Sequence, residues 1–278
     1  MRNSLGKLLW GLCLVFCFFF MPTLTGAQTG RAKKVVELTM SSYDTSQFLF
    51  MQELLEESLK SAGFIPKINS LGDNVTTQRV LTMLERDDAV NIHWLIRSKE
   101  RDDKYIPVEV GISGGLIGQR ILLIPAEEQH AYGQVKNLED FRKLNKVAGF
   151  AKGWFDVDVW KKNDLKFYEK DGSWDPELYL MVAAKNRGID YLSRGVNEII
   201  KESTLPQASG LIIEKKLLFV YDSDFIFYLS KSGGKYKKDL ELALNKAKRS
   251  GLMKKIINKY FPDAKKLAKG RRKIHLAL

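Results

Sequence analysis

Segments with the periodicity of strands alternate along this chain with segments that have the periodicity of helices, beginning at residue 35. Residues 35–40 and 90–96 have the composition and alternation of strands, whereas the apolar residues between 48 and 62 keep helical spacing. The pattern predicts further strands at residues 108–112, 120–124, 147–150, 167–168, 189–192, 217–221 and 225–229. It predicts further helices at residues 76–86, 138–144, 175–188, 196–200, 240–247 and 253–260.

Strands that alternate with helices favour an α/β fold, with largely parallel sheets flanked by helices. Two successive series of such units, followed by a returning segment, predict two lobes. For the helix at residues 175–188, Asp175 is the predicted N-cap and Gly188 the predicted C-terminal cap.

The amino terminus has the layout of a cleavable signal peptide. Two basic residues precede an apolar run at residues 8–21, and small residues around Ala27 suit a signal peptidase. The run is shorter than the ~20 apolar residues that span a bilayer, so a retained anchor is the weaker alternative. We therefore expect cleavage after Ala27 and a soluble, exported, periplasmic protein.

Both cysteines, Cys13 and Cys17, lie in this segment, so the exported chain is expected to have no disulfide, thiol chemistry or lipid anchor. The formal net charge of +12 is concentrated at the carboxyl end, where residues 265–278 hold six basic residues and no acidic one. We expect these residues to form a solvated, poorly ordered basic tail; contact with an anionic surface is the alternative. No nucleic-acid partner is expected.

Ligands in open parallel sheets bind beyond the carboxyl ends of the strands. The residues that follow four predicted strands are polar, cationic or aromatic, and predict a cleft for a small anionic or zwitterionic ligand. The candidate ligand-binding residues are Tyr43, Asp44, Trp94, Arg101, Lys152, Gly153, Trp154 and Arg194. Each has a simpler explanation: Arg101 could be a solvated ion-pair residue, Trp94 and Trp154 core aromatics, and Arg194 a partner of Glu198.

Several chemistries do not fit the sequence. Residues 111–115 match the G-x-S-x-G pattern of serine hydrolases, but the following segment predicts a strand instead of the helix that this motif requires. The three histidines lack metal-ligand spacing, and no phosphate-binding loop is present, so neither a metal nor a cofactor is expected.

Several short motifs, in the order in which they occur along the chain, resemble those of bacterial extracellular solute-binding proteins of family 3. These proteins are the periplasmic receptors that supply polar amino acids to ABC importers. The resemblance covers roughly residues 35–261. Its motifs are residues 98–101 (SKER), the strand at 118–124, residues 153–156 (GWFD), residues 186–191 (NRGIDY), and the ending from 249 (RSGL) to 261 (KYF).

The resemblance implies two α/β lobes joined by a hinge of two crossover strands, in a monomer that delivers its ligand to an inner-membrane ABC permease. The implied boundaries are a first lobe at residues 28–118 and 219–264, a second lobe at 119–218, and the basic tail at 265–278. It also implies that Arg101 binds the ligand's α-carboxylate.

Two departures limit this transfer. Arg194 and Gly195 stand where amino-acid receptors carry the acidic residue for the ligand's ammonium group, and Lys152 and Trp154 replace the hydroxyl residue beside Gly153. The ligand is therefore left unnamed beyond a small polar, carboxylate-bearing solute. A periplasmic dehydratase-like enzyme, with Lys152, Asp190 or Glu198 as its ionisable group, and a sensory module for a membrane partner remain as alternatives.

Overall fold

The computed structural model describes residues 33–41, 46–72, 75, 77–185 and 188–278. The expected signal peptide at residues 1–27 and two candidate site residues, Tyr43 and Asp44, lie outside the described residues. Within the described ranges, no helix has the length and apolar character needed to cross a membrane.

Twelve strands are present in the described residues. They are β1 (Val35–Ser41), β2 (Ile65–Leu71), β3 (Ile92–Ile96), β4 (Ile106–Val108), β5 (Gln119–Pro125), β6 (Ala148–Ala151), β7 (Phe167–Lys170), β8 (Tyr191–Gly195), β9 (Leu211–Ile213), β10 (Leu217–Val220), β11 (Phe225–Leu229) and β12 (Arg272–His275).

Eleven α-helices accompany them in the same part of the chain. They are α1 (Ser46–Ala62), α2 (Thr77–Arg86), α3 (Lys99–Lys104), α4 (Gln129–Gly133), α5 (Leu138–Lys143), α6 (Phe155–Lys162), α7 (Glu177–Ala184), α8 (Ile199–Glu202), α9 (Lys237–Arg249), α10 (Leu252–Tyr260) and α11 (Ala264–Ala268).

The first lobe is built on two small sheets. Strands β1 and β2 form a parallel pair, and β3, β11 and β4 form an antiparallel sheet with β11 in the middle. The two sheets are joined where the amide of Thr39 donates to Asn91 Oδ1 at 2.8 Å and the amide of Asn91 donates to the carbonyl of Thr39 at 3.0 Å. The predicted apolar stripe of α1 is buried in the core that this lobe shares with α9 and α10.

The second lobe contains a seven-stranded sheet in the order β12-β10-β5-β8-β6-β7, with β9 also paired to β5. Strand β5 is buried on both faces: Ile121 and Leu123 belong to one core cluster, and Leu122 and Ile124 belong to another. The α/β fold class is confirmed, but the prediction of largely parallel sheets is wrong. The seven-stranded sheet is mixed, and the first lobe combines a parallel pair with an antiparallel sheet. Each antiparallel pair in the described residues involves β5 or β11, the strands that follow the two crossings between lobes.

Two short segments connect the lobes, residues 109–118 after β4 and residues 221–224 after β10. They are bonded to each other, because the amide of Tyr221 donates to the carbonyl of Gly118 at 3.0 Å and the carboxylate of Asp224 accepts from the amides of Ser113 and Gly115 at 2.9 and 3.1 Å. A Cβ atom on Gly118 would press against the carbonyl oxygens of Tyr221 and Ser223. Glycine is therefore required for the close approach of the two segments.

The expectation of a poorly ordered carboxyl-terminal tail is wrong. Residues 272–275 form β12, which pairs in parallel with β10, and Ile274 and Leu276 are buried in the second lobe. The charge of this segment concealed its strand character, because only one side chain of β12 is buried.

The predicted caps of the helix near residue 177 are also wrong. The N-cap of α7 is Pro176, and the side chain of Asp175 instead accepts a hydrogen bond from Gln207 Nε2 at 2.7 Å. The helix ends at Ala184, and its C-cap, Lys185, adopts the left-handed conformation expected at such an end, before Gly188 is reached.

Candidate functional site

A cavity of about 270 Å³ lies between residues of the two lobes, beside the crossings. The first lobe contributes the end of β3 and helix α3, and the second lobe contributes the start of α6 and the end of β8. The lining residues are His93, Trp94, Leu95, Ile96, Arg101, Ile117, Arg120, Gly153, Trp154, Phe155, Asp156, Trp174, Arg194, Glu198 and Phe225. Five of the eight residues singled out in the sequence are among them.

Local sequence explains why Arg101 faces this cavity. Ser98 caps α3 by accepting a hydrogen bond from the amide of Arg101 at 3.3 Å, which fixes the first turn. The other charged residues of the segment pair along the helix surface, as shown by the Lys99–Asp103 and Glu100–Lys104 ion pairs at 2.8 and 2.6 Å. Arg101 is therefore the basic residue of this helix left to point inward.

The Arg101 guanidinium is half-buried and has no ion-pair partner among the residues that the structure describes. Its Nη1 donates to the carbonyl of Ile96 at 2.6 Å, its Nη2 lies 3.5 Å from the carbonyl of Gly153 in the other lobe, and its carbon is 5.7 Å from the ring centre of Phe155. Burial lowers the pKa of this guanidinium, but arginine remains protonated at physiological pH. Three of its five N–H groups are left for another acceptor.

Arg194 has a different environment. Its Nε and Nη2 donate to the two carboxylate oxygens of Glu202, both at 2.6 Å, and Nη2 is 3.4 Å from Glu198. The guanidinium also stacks on two rings, 4.5 Å from the centre of Trp154 and 5.2 Å from that of Trp174. The simpler explanation, neutralisation of Glu198, is thus part of the arrangement, and the bidentate face of Arg194 is already used by Glu202.

Sequence reasoning missed a buried ion pair at the floor of the cavity. Arg120, 1% exposed, places Nε and Nη2 at 2.9 and 3.0 Å from the two oxygens of Asp156, which is 3% exposed. Asp156 also accepts from the Tyr221 hydroxyl at 3.1 Å, so the pair connects β5 and α6 to the crossing between lobes. The available signal was an arginine at the start of an apolar strand, followed later by an aspartate in the first turn of a helix.

Glu198 completes the charged floor. Its Oε2 accepts from the amide of Gly195 at 3.1 Å and lies 3.6 Å from Arg120 Nη1. Burial alone would raise the pKa of this carboxyl, but the guanidinium groups of Arg194 and Arg120 hold it below its ordinary value. Glu198 is therefore ionised at neutral pH.

The remaining walls are aromatic. Trp154 packs edge-on against Trp174 with ring centres 5.0 Å apart, and Trp94 packs beside His93 at 4.6 Å. Burial lowers the pKa of His93 to about 3, so its imidazole is neutral at physiological pH. A ligand here would meet flat apolar faces, one available cation in Arg101 and an internally paired charged floor.

Lys152 is not brought to the cavity. Its side chain is largely exposed and forms an ion pair with Asp171 at 3.0 Å. Asp190 is also elsewhere, where it accepts from Lys146 and from the amide of Val147. Of the three residues considered for catalysis, Glu198 alone lines the cavity. No group of histidine, cysteine, aspartate and glutamate suited to a metal ion occurs in the described ranges.

Comparison with solved structures finds neighbours that are consistently substrate-binding proteins of amino-acid ABC transporters. A protein from Bacillus subtilis, named as the extracellular-binding protein of such a transporter, is 14% identical with a TM-score of 0.58, and the match covers 83% of this chain and 99% of that one. A Streptococcus pneumoniae substrate-binding protein bound to L-arginine is 15% identical with a TM-score of 0.54, covering 77% and 82%. The chain has the fold of these two-lobed receptors.

An ancestral amino-acid-binding protein, a precursor of cyclohexadienyl dehydratase, shares the same fold. It is 15% identical with a TM-score of 0.55, and the match covers 76% of this chain and 85% of that one. No protein-family model matches the chain, and no curated protein matches it significantly. At these identities the neighbours establish the fold alone.

Proposed function

We propose that this chain is an exported, periplasmic solute-binding protein, which encloses a small polar solute bearing a carboxylate and delivers it to an inner-membrane ABC permease. The observation that carries the proposal is the Arg101 guanidinium, which lies at the meeting of the two lobes without an ion-pair partner among the described residues. A half-buried cation without a counter-ion in the cavity wall favours binding of an anion from solution.

The geometry supports a ligand held by both lobes. The guanidinium of Arg101 belongs to the first lobe and already lies near Gly153 and Phe155 of the second. A second hydrogen bond also joins the lobes. Asn197 Nδ2 of the second lobe donates to Gln47 Oε1 of the first at 3.0 Å, and neither residue belongs to the segments that position Arg101. A carboxylate bound by Arg101 would add a contact between the lobes and thereby favour the closed arrangement.

The first test is native mass spectrometry of freshly purified residues 28–278. We expect a fraction of the protein to carry a small molecule with a carboxylate, because a closed receptor releases its ligand slowly. Thermal stabilisation by that acid and by its primary amide provides the matched comparison. Equal stabilisation by acid and amide would refute recognition of the carboxylate.

A second candidate function is an enzyme of the dehydratase type. It is favoured by Glu198, an ionisable side chain in the cavity wall, and by the dehydratase precursor among the structural neighbours. A ligand recovered unchanged after prolonged incubation with a large amount of protein would reject this function, whereas time-dependent loss of the ligand would support it.

A further inference from the structure

The carboxyl-terminal segment of the second lobe is bonded to the rest of the lobe along its length. Arg271 donates to the backbone carbonyls of Leu267 at 2.7 Å and Leu217 at 3.1 Å, and β12 continues the sheet beside β10. Asn163 bonds the last residues, donating to the carbonyl of Ala277 and accepting from its amide, both at 2.9 Å. The basic residues of this segment are therefore presented on a folded surface.

These residues form one exposed face, which we call the basic face. It consists of six exposed lysines, Lys215, Lys216, Lys265, Lys266, Lys269 and Lys273. Arg272 lies on the opposite face of the sheet, where its guanidinium donates to the carbonyl of Val135. The two sections of chain are adjacent, because the amide of Arg272 donates to the carbonyl of Lys216 at 2.7 Å and Lys273 pairs with Leu218 in the sheet. Lys215, Lys266 and Lys269 also line a common hollow of about 480 Å³.

The cations of the basic face are not neutralised by the protein. None of the six forms an ion pair with an acidic residue in the described ranges, although Asp263 shares the hollow. First-lobe lysines are of both kinds: Lys34, Lys60 and Lys67 each lie within 4 Å of a carboxylate, whereas others there are unpaired in the described ranges. The basic face differs in gathering six unpaired lysines on one surface, and this concentrates a positive potential that attracts an anionic partner.

The chemistry of the face favours an extended anionic surface over a single bound anion. All six of its cations are lysines, which act as mobile point charges, whereas recognition of one phosphate or carboxylate typically uses the bidentate arginine fork. The hollow also has apolar groups from Ile200 and Leu267 beside its lysines. Clusters of this size are attracted to acidic phospholipid headgroups without insertion into the bilayer.

We propose that the basic face binds the surface of membranes containing acidic phospholipids, keeping the protein near the bilayer. This inference goes beyond the proposed function, and its test does not depend on the ligand.

The experiment is co-sedimentation of residues 28–278 with lipid vesicles. This length contains the whole compact unit that begins at Lys33 and omits the apolar amino-terminal segment. We expect binding to vesicles with 30% phosphatidylglycerol in phosphatidylcholine, no binding to pure phosphatidylcholine, and loss of binding as ionic strength rises. The triple variant Lys215→Gln, Lys266→Gln, Lys269→Gln should bind the acidic vesicles on the order of 100-fold more weakly, at about fivefold per lysine.

The matched control is Lys231→Gln, Lys238→Gln, Lys248→Gln. It removes the same charge from exposed lysines of the first lobe that also form no ion pair in the described ranges, and it should retain binding. Equal loss in both triple variants would refute a specific face and leave only net charge. Displacement by millimolar inorganic phosphate, beyond that by sodium chloride of equal ionic strength, would show a single phosphate site and overturn the membrane proposal. Equal binding to neutral vesicles would also overturn it.

Discussion

Removal of the Asp156 carboxylate should destabilise the protein strongly, because it leaves the Arg120 guanidinium buried without its main counter-ion. Both side chains are almost fully buried and form a close ion pair. Arg120 Nη2 donates to Asp156 Oδ2 at 3.0 Å, and Arg120 Nε lies 2.9 Å from Oδ1 without the alignment of a hydrogen bond. Breaking a buried pair from one side costs about 3–5 kcal/mol. We expect Asp156→Ala to lie near the lower end, since Arg120 keeps the carbonyl of Ser193 at 3.0 Å and Glu198 at 3.6 Å.

The assay is reversible unfolding in urea, supported by calorimetry. A loss of about 3 kcal/mol would lower the melting temperature by roughly 6–12 °C for a chain of this size. The double variant Arg120→Met, Asp156→Leu should recover most of the loss, because it removes the orphaned charge and fills the volume. It should still lack the hydrogen bond from Tyr221, which contributes about 1 kcal/mol.

The control is Asp103→Ala, which breaks the exposed pair with Lys99 and should cost less than about 0.5 kcal/mol. A loss of less than about 1 kcal/mol in Asp156→Ala would refute a large cost of leaving Arg120 unpaired. A double variant no more stable than Asp156→Ala would show that the cost does not come from the orphaned arginine.

Three further predictions concern other parts of the molecule. Between pH 6.5 and 3, His93 is neutral in the folded protein and protonated in the unfolded chain. The free energy of unfolding should therefore fall by about 1.4 kcal/mol for each pH unit as the pH drops through this range. In unfolding measured against pH, His93→Gln should remove this contribution, whereas His130→Gln, at an exposed histidine, should not. Gly118→Ala should force the two crossings apart, visible as a changed radius of gyration or a lower melting temperature, while Gly133→Ala, whose Cβ meets no atom within 4 Å, should leave both unchanged. Deletion of residues 271–278 should destabilise the second lobe by several kcal/mol, because Ile274 and Leu276 each contribute about 1.5–3 kcal/mol when buried; a melting temperature equal to that of the full chain would contradict this.

Several helices and strands could be predicted because their apolar residues follow the spacing of a helix or a strand. Helix α1 and strand β5 carry long apolar series, and the structure buries those residues. Strands β2 and β12 could not be found in this way, since β2 has no fully buried residue and β12 has one. Their place in the sheets depends on pairing with β1 and β10, which is tertiary information.

Most of the site could be predicted from one rule, that ligands bind beyond the carboxyl ends of strands. Arg101, Gly153, Trp154 and Arg194 follow predicted strands and line one cavity. Trp94 lines it too, although it lies within the predicted strand at residues 90–96. The rule could not distinguish Arg101 from Arg194, because the difference lies in the partners that α8 supplies to Arg194. It also gave Lys152, whose side chain turns outward to Asp171, and it missed Arg120, which sits at the beginning of a strand.

The most direct test of the central claim is the affinity of two matched variants for the acid identified by native mass spectrometry. Arg101→Gln removes the cation at the meeting of the lobes, and Lys152→Gln removes a neighbouring cation that lies outside the cavity. Isothermal titration should show Arg101→Gln weaker than the unmodified protein by roughly 10- to 150-fold, the range for a lost hydrogen bond to a charged group, with Lys152→Gln unchanged and both melting normally without ligand. Undiminished binding by Arg101→Gln would contradict the account.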